Sequence, residues 1–130
     1  MKRVITFGTY DLFHIGHLNI LRRARHCGDE LIVGVSSDAL NYSKKKKYPV
    51  YPEHERMEIV HAIKFVDEVF LEESLELKGE YIKRYKADLL VMGDDWKGRF
   101  DEMDQFCDVL YLPRTEGVST TELVTAIKKK

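Results

Sequence analysis

VITFGTYDLFHIGHLNIL, residues 4–21, passes from one periodicity to another within a single turn of chain. Val4 to Phe7 is an apolar run of strand length, closed by Gly8. From His17 onward Leu18, Leu21 and Ala24 recur at helical spacing and predict a helix over 17–27 with one face on a sheet. A strand that runs almost directly into a helix opens a β–α unit, and it leaves the carboxyl end of the strand beside the amino end of the helix.

The alternation continues along the chain. Strand-like runs recur at Leu31–Val35, Glu68–Leu71, Leu89–Met92 and Val109–Leu112, with helix-like segments over 53–65, 76–86 and 120–129. Ile59 and Ile63 have the spacing to pack the second helix on a sheet. Near-continuous apolar strands such as LLVM, residues 89–92, suit a sheet covered on both faces. The 130 residues, 44% hydrophobic and 33% charged, therefore predict a single α/β domain over 1–130, with a five-stranded parallel sheet flanked by helices. Ligands of such folds sit beyond the carboxyl ends of the strands. There Phe7 leads into GTYDLFHIGH, Met92 into GDDWKGRF, Leu112 into PRTEGVSTT, and Val35 into a long loop carrying Lys44 to Lys47.

Composition narrows the function classes. Lys and Arg number 21 against 22 acids, so the net charge of −1 gives no general attraction to nucleic acid or an anionic membrane, and an anion site has to be local. The start MKRVITFGTYD lacks the apolar core of a signal peptide, and no run approaches the roughly 20 apolar residues of a membrane span, so a soluble cytoplasmic protein is expected. Cys27 and Cys107 have neither CxxC spacing nor a disulfide-rich context and read as reduced thiols. Lys128 to Lys130 read as a solvated helix end.

Gly8 and Gly16 allow close backbone approach and unusual dihedrals, and a helix starting near Gly16 presents free N–H groups to an anion. His14 and His17 can bind phosphate there, cap the helix, or ligate a metal, although no cysteine or third histidine stands nearby to complete a zinc site. The Lys44–Lys47 run taken alone is a solvated loop, and Arg56 opens a predicted helix. Ser119 and Glu122 form an S-x-x-E capping box that starts a helix at Thr120, which leaves Arg114 and the hydroxyl of Thr120 available for phosphate. Gly93, Asp94, Asp95 and Trp96 read as a turn with a packing tryptophan, and Asp11 as a turn-stabilising carboxylate.

GTYDLFHIGH resembles the HxGH signature of the nucleotidyltransferase superfamily, and RTEGVSTT resembles the RTEGISTT signature of its cytidylyltransferases, in particular the bacterial ones that act on glycerol 3-phosphate. The likeness runs from Val4 to the final helix. It implies a Rossmann-like domain that transfers CMP from CTP to glycerol 3-phosphate, giving CDP-glycerol and pyrophosphate, with Mg²⁺ accompanying CTP. It further implies a cytoplasmic homodimer whose product feeds teichoic acid or capsule synthesis. The resemblance makes His14, His17, Lys44 and Arg114 catalytic, and gives CTP the residues Gly8, Thr9, Tyr10, His14, His17, Gly93, Asp95, Trp96, Arg114, Thr115, Ser119 and Thr120. To the acceptor it assigns Asp11, Lys44, Lys47, Arg56 and Lys78, with Asp11 also placed to position Mg²⁺ or a lysine. No protein metal site is implied.

The residue types suit that reaction. A phosphate monoester, with a second pKa of about 6, is an anion near neutral pH and attacks phosphorus without a general base. Repulsion between two anions is the obstacle, so cations and positioning are the equipment required. Where these enzymes carry a tryptophan near the acceptor, Leu75 stands here, which leaves ribitol, serinol or ethanolamine phosphate as alternative acceptors. An adenylyltransferase acting on FMN or a pantetheine phosphate shares HxGH, and a silent nucleotide-binding module is the non-enzymatic alternative. The literal HIGH at residues 14–17 also occurs in class I aminoacyl-tRNA synthetases, but no KMSKS-like segment or basic surface accompanies it.

Overall fold

In the computed structural model, which describes residues 1–129, the apolar runs form β1 (Arg3–Gly8), β2 (Glu30–Ser36), β3 (Glu68–Glu72), β4 (Leu89–Gly93) and β5 (Asp108–Leu112). They pair in the order β3-β2-β1-β4-β5, every pair parallel. The helices are α1 (Ile15–His26), α2 (Asp38–Lys45), α3 (Glu53–His61), α4 (Lys78–Arg84) and α5 (Thr120–Lys129). The direction in which successive strands are added to the sheet reverses between β1 and β4, so the crevice opens at the carboxyl ends of those two parallel strands.

Strand alternation builds two cores. Val4, Leu31, Val33, Val35 and Val91 point to one face, covered by Leu21 and Ala24 of α1 and Val60 of α3. Ile5, Phe7, Ile32, Leu90 and Met92 point to the other, covered by Tyr81 and Ile82 of α4. The buried Thr6 on β1 satisfies its hydroxyl by donating to the carbonyl of Val91 across the β1–β4 pair, at 2.6 Å. Gly34 is required by packing: a Cβ there would lie 2.6 Å from the Phe7 ring and 2.7 Å from the Phe70 ring, which meet edge to face over the strand.

Several helical expectations change. The lysine run is not a long loop, because the Ser37 hydroxyl accepts from the N–H of Leu40 at 3.0 Å and starts α2. Asp38 at the amino end and Lys44 and Lys45 at the carboxyl end complement the helix dipole, and Lys46 closes α2 in the left-handed conformation at φ 59°. The second expected helix stops at His61, since Ala62 to Val66 continue as tight i→i+3 turns. Its buried face is Arg56 and Val60, while Ile59 is 36% exposed. The third begins with a 3₁₀ turn at Leu75–Leu77, so α4 is shorter than its pattern. Among the described residues no helix is long and apolar enough to cross a membrane.

Candidate functional site

His14 is the N-cap of α1, with extended backbone at φ −136°. Its Nδ1 accepts from the N–H of Gly16 at 3.0 Å, and Nδ1 of His17 accepts from the N–H of His14 at 3.2 Å. The two imidazoles thus form a reciprocal capping box of the kind usually made by Ser and Glu. Because Nδ1 of each ring is an acceptor, the neutral tautomer carries its proton on Nε2. The rings stack with centroids 3.8 Å apart. Burial, and then the proximity of His14, pushes the His17 pKa down to about 3; burial and the Arg114 charge lower that of His14. Both are therefore neutral donors near pH 7, without the fraction of positive charge that an exposed imidazole keeps there.

Gly16 is needed for this stack, since a Cβ would lie 2.8 Å from the His14 ring. Neither Gly8 nor Gly16 adopts a positive φ, contrary to expectation; Tyr10 and Leu12 do, at 55° and 48°. Tyr10 is buried, with its ring 5.4 Å from that of His17, and burial holds its phenol above the ordinary value.

Around this pair lies a cleft of about 760 Å³ at the carboxyl edge of the sheet. The β1–α1 segment contributes Gly8, Thr9, Tyr10, Asp11, His14 and His17; α2 and the turn after it contribute Lys44 and Lys47; α4 contributes Lys78. Gly93, Asp95 and Trp96 come from the turn after β4, and Arg114, Thr115, Ser119 and Thr120 from the segment entering α5. Four chain segments named from sequence meet here, together with residues that the sequence reading missed: Ser36, Asn41, Glu72 and Phe100.

Arg56 does not reach the cleft and is corrected to an internal strut. It is fully buried, donating from Nε to the Tyr51 carbonyl, from NH1 to the carbonyls of Thr9 and Ser36, and from NH2 to Asp38 Oδ1 at 2.7 Å. With those donors engaged it holds β1, β2, α2 and the start of α3 together, outside the cleft lining. Asp11 lines the cleft but its carboxylate is similarly engaged, accepting from the N–H groups of Leu12, Val50 and Tyr51. It anchors the segment before α3, which is the turn-stabilising role.

The remaining polar groups tie the segments to one another. Thr9 donates to Asn41 Oδ1, and the Thr115 hydroxyl accepts from Asn19 of α1. Thr120 donates to the carbonyl of Asp11 at 2.9 Å, and Ser119 accepts from the N–H of Glu122 as the α5 cap. Arg114, half exposed, spans to Asp95 at 3.3 Å. Lys44 stands 6.0 Å from the centre of the Trp96 ring. Lys78 is buried on the cleft floor with its ammonium 2.5 Å from Glu72 Oε2. The lining includes the cations of Lys44, Lys45, Lys47, Lys78, Arg114 and Lys128, against Asp11, Glu72 and Asp95, each of which already has partners. A chain of net charge −1 thus places six of its 21 lysines and arginines at one crevice.

Missing Glu72 and Asn41 had different causes. Glu72 is the polar residue closing an apolar strand at the ligand-bearing rim, a signal that the sequence does carry. Asn41 lies inside a helix that the lysine run concealed.

A family model described as cytidylyltransferase-like matches residues 5–126. The chain is 49% identical over 123 residues to the glycerol-3-phosphate cytidylyltransferase of Bacillus spizizenii, covering 95% of each. It is 47% identical to the enzyme of that name from Staphylococcus aureus, covering 95% of this chain and 92% of that one. Its fold is similar to that of a lipopolysaccharide core biosynthesis protein from Thermoplasma volcanium, with a TM-score of 0.77 at 24% identity over 89% of this chain and 99% of the other. With its fold, its HxGH turn and its RTEGVSTT segment in these places, the chain belongs to the cytidylyltransferase-like family.

Proposed function

We propose that this protein transfers CMP from CTP to glycerol 3-phosphate, releasing pyrophosphate. The observation that carries the reading is the paired-imidazole cap of α1, which faces the amino end of α5 and Arg114 across a cationic cleft. The full-length similarity to two glycerol-3-phosphate cytidylyltransferases supports it.

In this reading the triphosphate lies between the amino ends of α1 and α5, where Thr115, Ser119, Arg114 and the backbone N–H of Thr120 supply donors, the Thr120 hydroxyl being engaged by the Asp11 carbonyl. A phosphate oxygen of the acceptor attacks the α-phosphorus. The new P–O bond forms as the bond from the α-phosphorus to the bridging oxygen breaks, and that electron pair leaves with pyrophosphate. The Nε2 protons of His14 and His17 donate to the α-phosphate oxygens as charge gathers there. As neutral donors fixed by their backbone bonds, they need no reorganisation at the moment of transfer. Lys44 and Lys47 face the acceptor phosphate, and Trp96 and Asp95 flank the nucleoside.

Among the described residues, no three His, Cys, Asp or Glu side chains gather as a metal cage. Mg²⁺ belongs in this proposal as the counter-ion carried by the triphosphate, whose own oxygens suit it and whose charge it offsets. A homodimer in the cytoplasm completes the reading.

Pyrophosphate release is the test, offering CTP or ATP with Mg²⁺ against glycerol, ribitol, serinol and ethanolamine phosphates. Release with CTP and glycerol 3-phosphate is expected. Release with CTP and only another acceptor overturns the acceptor, and release with ATP alone overturns the nucleotide.

A further inference from the structure

Glu72 closes β3 at the cleft and is 1% exposed, yet it is ionisable. Its Oε1 accepts from the Ser36 hydroxyl at 3.1 Å and its Oε2 from the Lys78 ammonium. Lys78 is itself 2% exposed, and beyond Glu72 its ammonium faces the rings of Phe7 at 4.1 Å and Phe100 at 4.9 Å. A lone ammonium in such surroundings would shed its proton, because aromatic faces compensate only part of its lost hydration.

We propose that Glu72 is a positioning residue for the transfer reaction: it keeps the ammonium group of Lys78 in place along the wall where the acceptor phosphate enters. Lys78 anchors directly on the carboxylate; Lys44, half-buried near Trp96, stands within its field. Burial pulls both lysines below their ordinary values, and Glu72 opposes that pull in each. The other groups acting here are Lys45, which weakens the charge on Lys44, and Tyr10, whose raised phenol stays neutral. Two cations and one anion leave the wall net positive. Without Glu72, the lysines repel each other across an apolar floor and lose their charge at a lower pH.

This inference rests on the reading of the acceptor as a phospho-alcohol, so its test has an arm that needs no turnover. In ligand-free protein, nitrogen-15 NMR of the lysine side chains is expected to show Lys78 in E72Q losing its proton at least about one pH unit below the wild type. In the second arm, the KM for glycerol 3-phosphate is expected to rise with pH about tenfold more in E72Q than in the wild type. E72D restores the wild-type dependence, and S36A, which removes a supporting hydroxyl, shifts it the same way by less. Should E72Q not fold, S36A carries both readouts. Lysine titration unchanged in the variants, or a KM raised by one factor at every pH, overturns the role. Absence of turnover in the wild type overturns the acceptor reading and leaves the NMR arm to decide on Glu72.

Discussion

The rings of His14 and His17 are stacked 3.8 Å apart, and each gives its Nδ1 to a backbone N–H at the start of α1. Capping and phosphate binding, alternatives when the residues are read in sequence, are compatible here, because they use opposite nitrogens of the same rings.

Substitution can separate the two duties. Asn is a good N-cap but has no imidazole Nε2, so H14N is expected to keep the melting temperature near wild type while turnover falls by about 10²–10³-fold. H14A loses the cap as well, costing about 1 kcal/mol in denaturant unfolding. Near-normal turnover in H14N would remove His14 from the chemistry.

Acid should destabilise the fold through His17. Its folded-state pKa, about 3, lies below the ordinary 6.5, so the unfolded chain binds a proton that the native state refuses. The stability linked to this group is complete above pH 6.5 and is lost as pH falls toward about 3. Melting temperatures measured across that window should fall more steeply for the wild type than for H17Q; parallel slopes would refute the assignment.

Gly16 should reveal itself in kinetics and not in stability. Ala is favoured over Gly in a helix by about 1 kcal/mol, so G16A is expected to retain its thermal midpoint. Its Cβ would nevertheless displace the His14 ring from 2.8 Å, and kcat should drop at least about tenfold. Unfolding curves and steady-state rates on one preparation decide the matter.

Arg56 makes the opposite prediction. R56M takes from the carbonyls of Thr9, Ser36 and Tyr51 and from Asp38 Oδ1 the guanidinium donors they share, and should cost about 3–5 kcal/mol. Urea denaturation would show this directly. A stable R56M protein with only a raised KM would reinstate Arg56 as a phosphate ligand.

Sequence reading reached the sheet because period-2 burial on both faces leaves near-continuous apolar runs, as at residues 89–92. It reached most of the cleft because the fold places every strand's carboxyl end on one rim. It failed where a local pattern has two physical meanings. Four consecutive lysines look solvated, yet Lys44 and Lys45 end a helix that Ser37 starts. An arginine opening a helix among phosphate-binding segments looks like a ligand, yet only the tertiary structure shows that its donors are spent on carbonyls. Nothing local marks Asp11 as the acceptor for N–H groups that lie about forty residues away.

The hydrogen bond from Thr120 to the Asp11 carbonyl joins positions 109 residues apart. During synthesis, therefore, the HxGH turn leaves the ribosome long before its partner helix. Throughout that interval the nascent chain has a half-built cleft, lacking the hydroxyls, arginine and helix end that α5 and the segment before it bring. The full nucleotide stabilisation arrives only once α5 docks, so ligand binding reports on a chain folded as far as that helix.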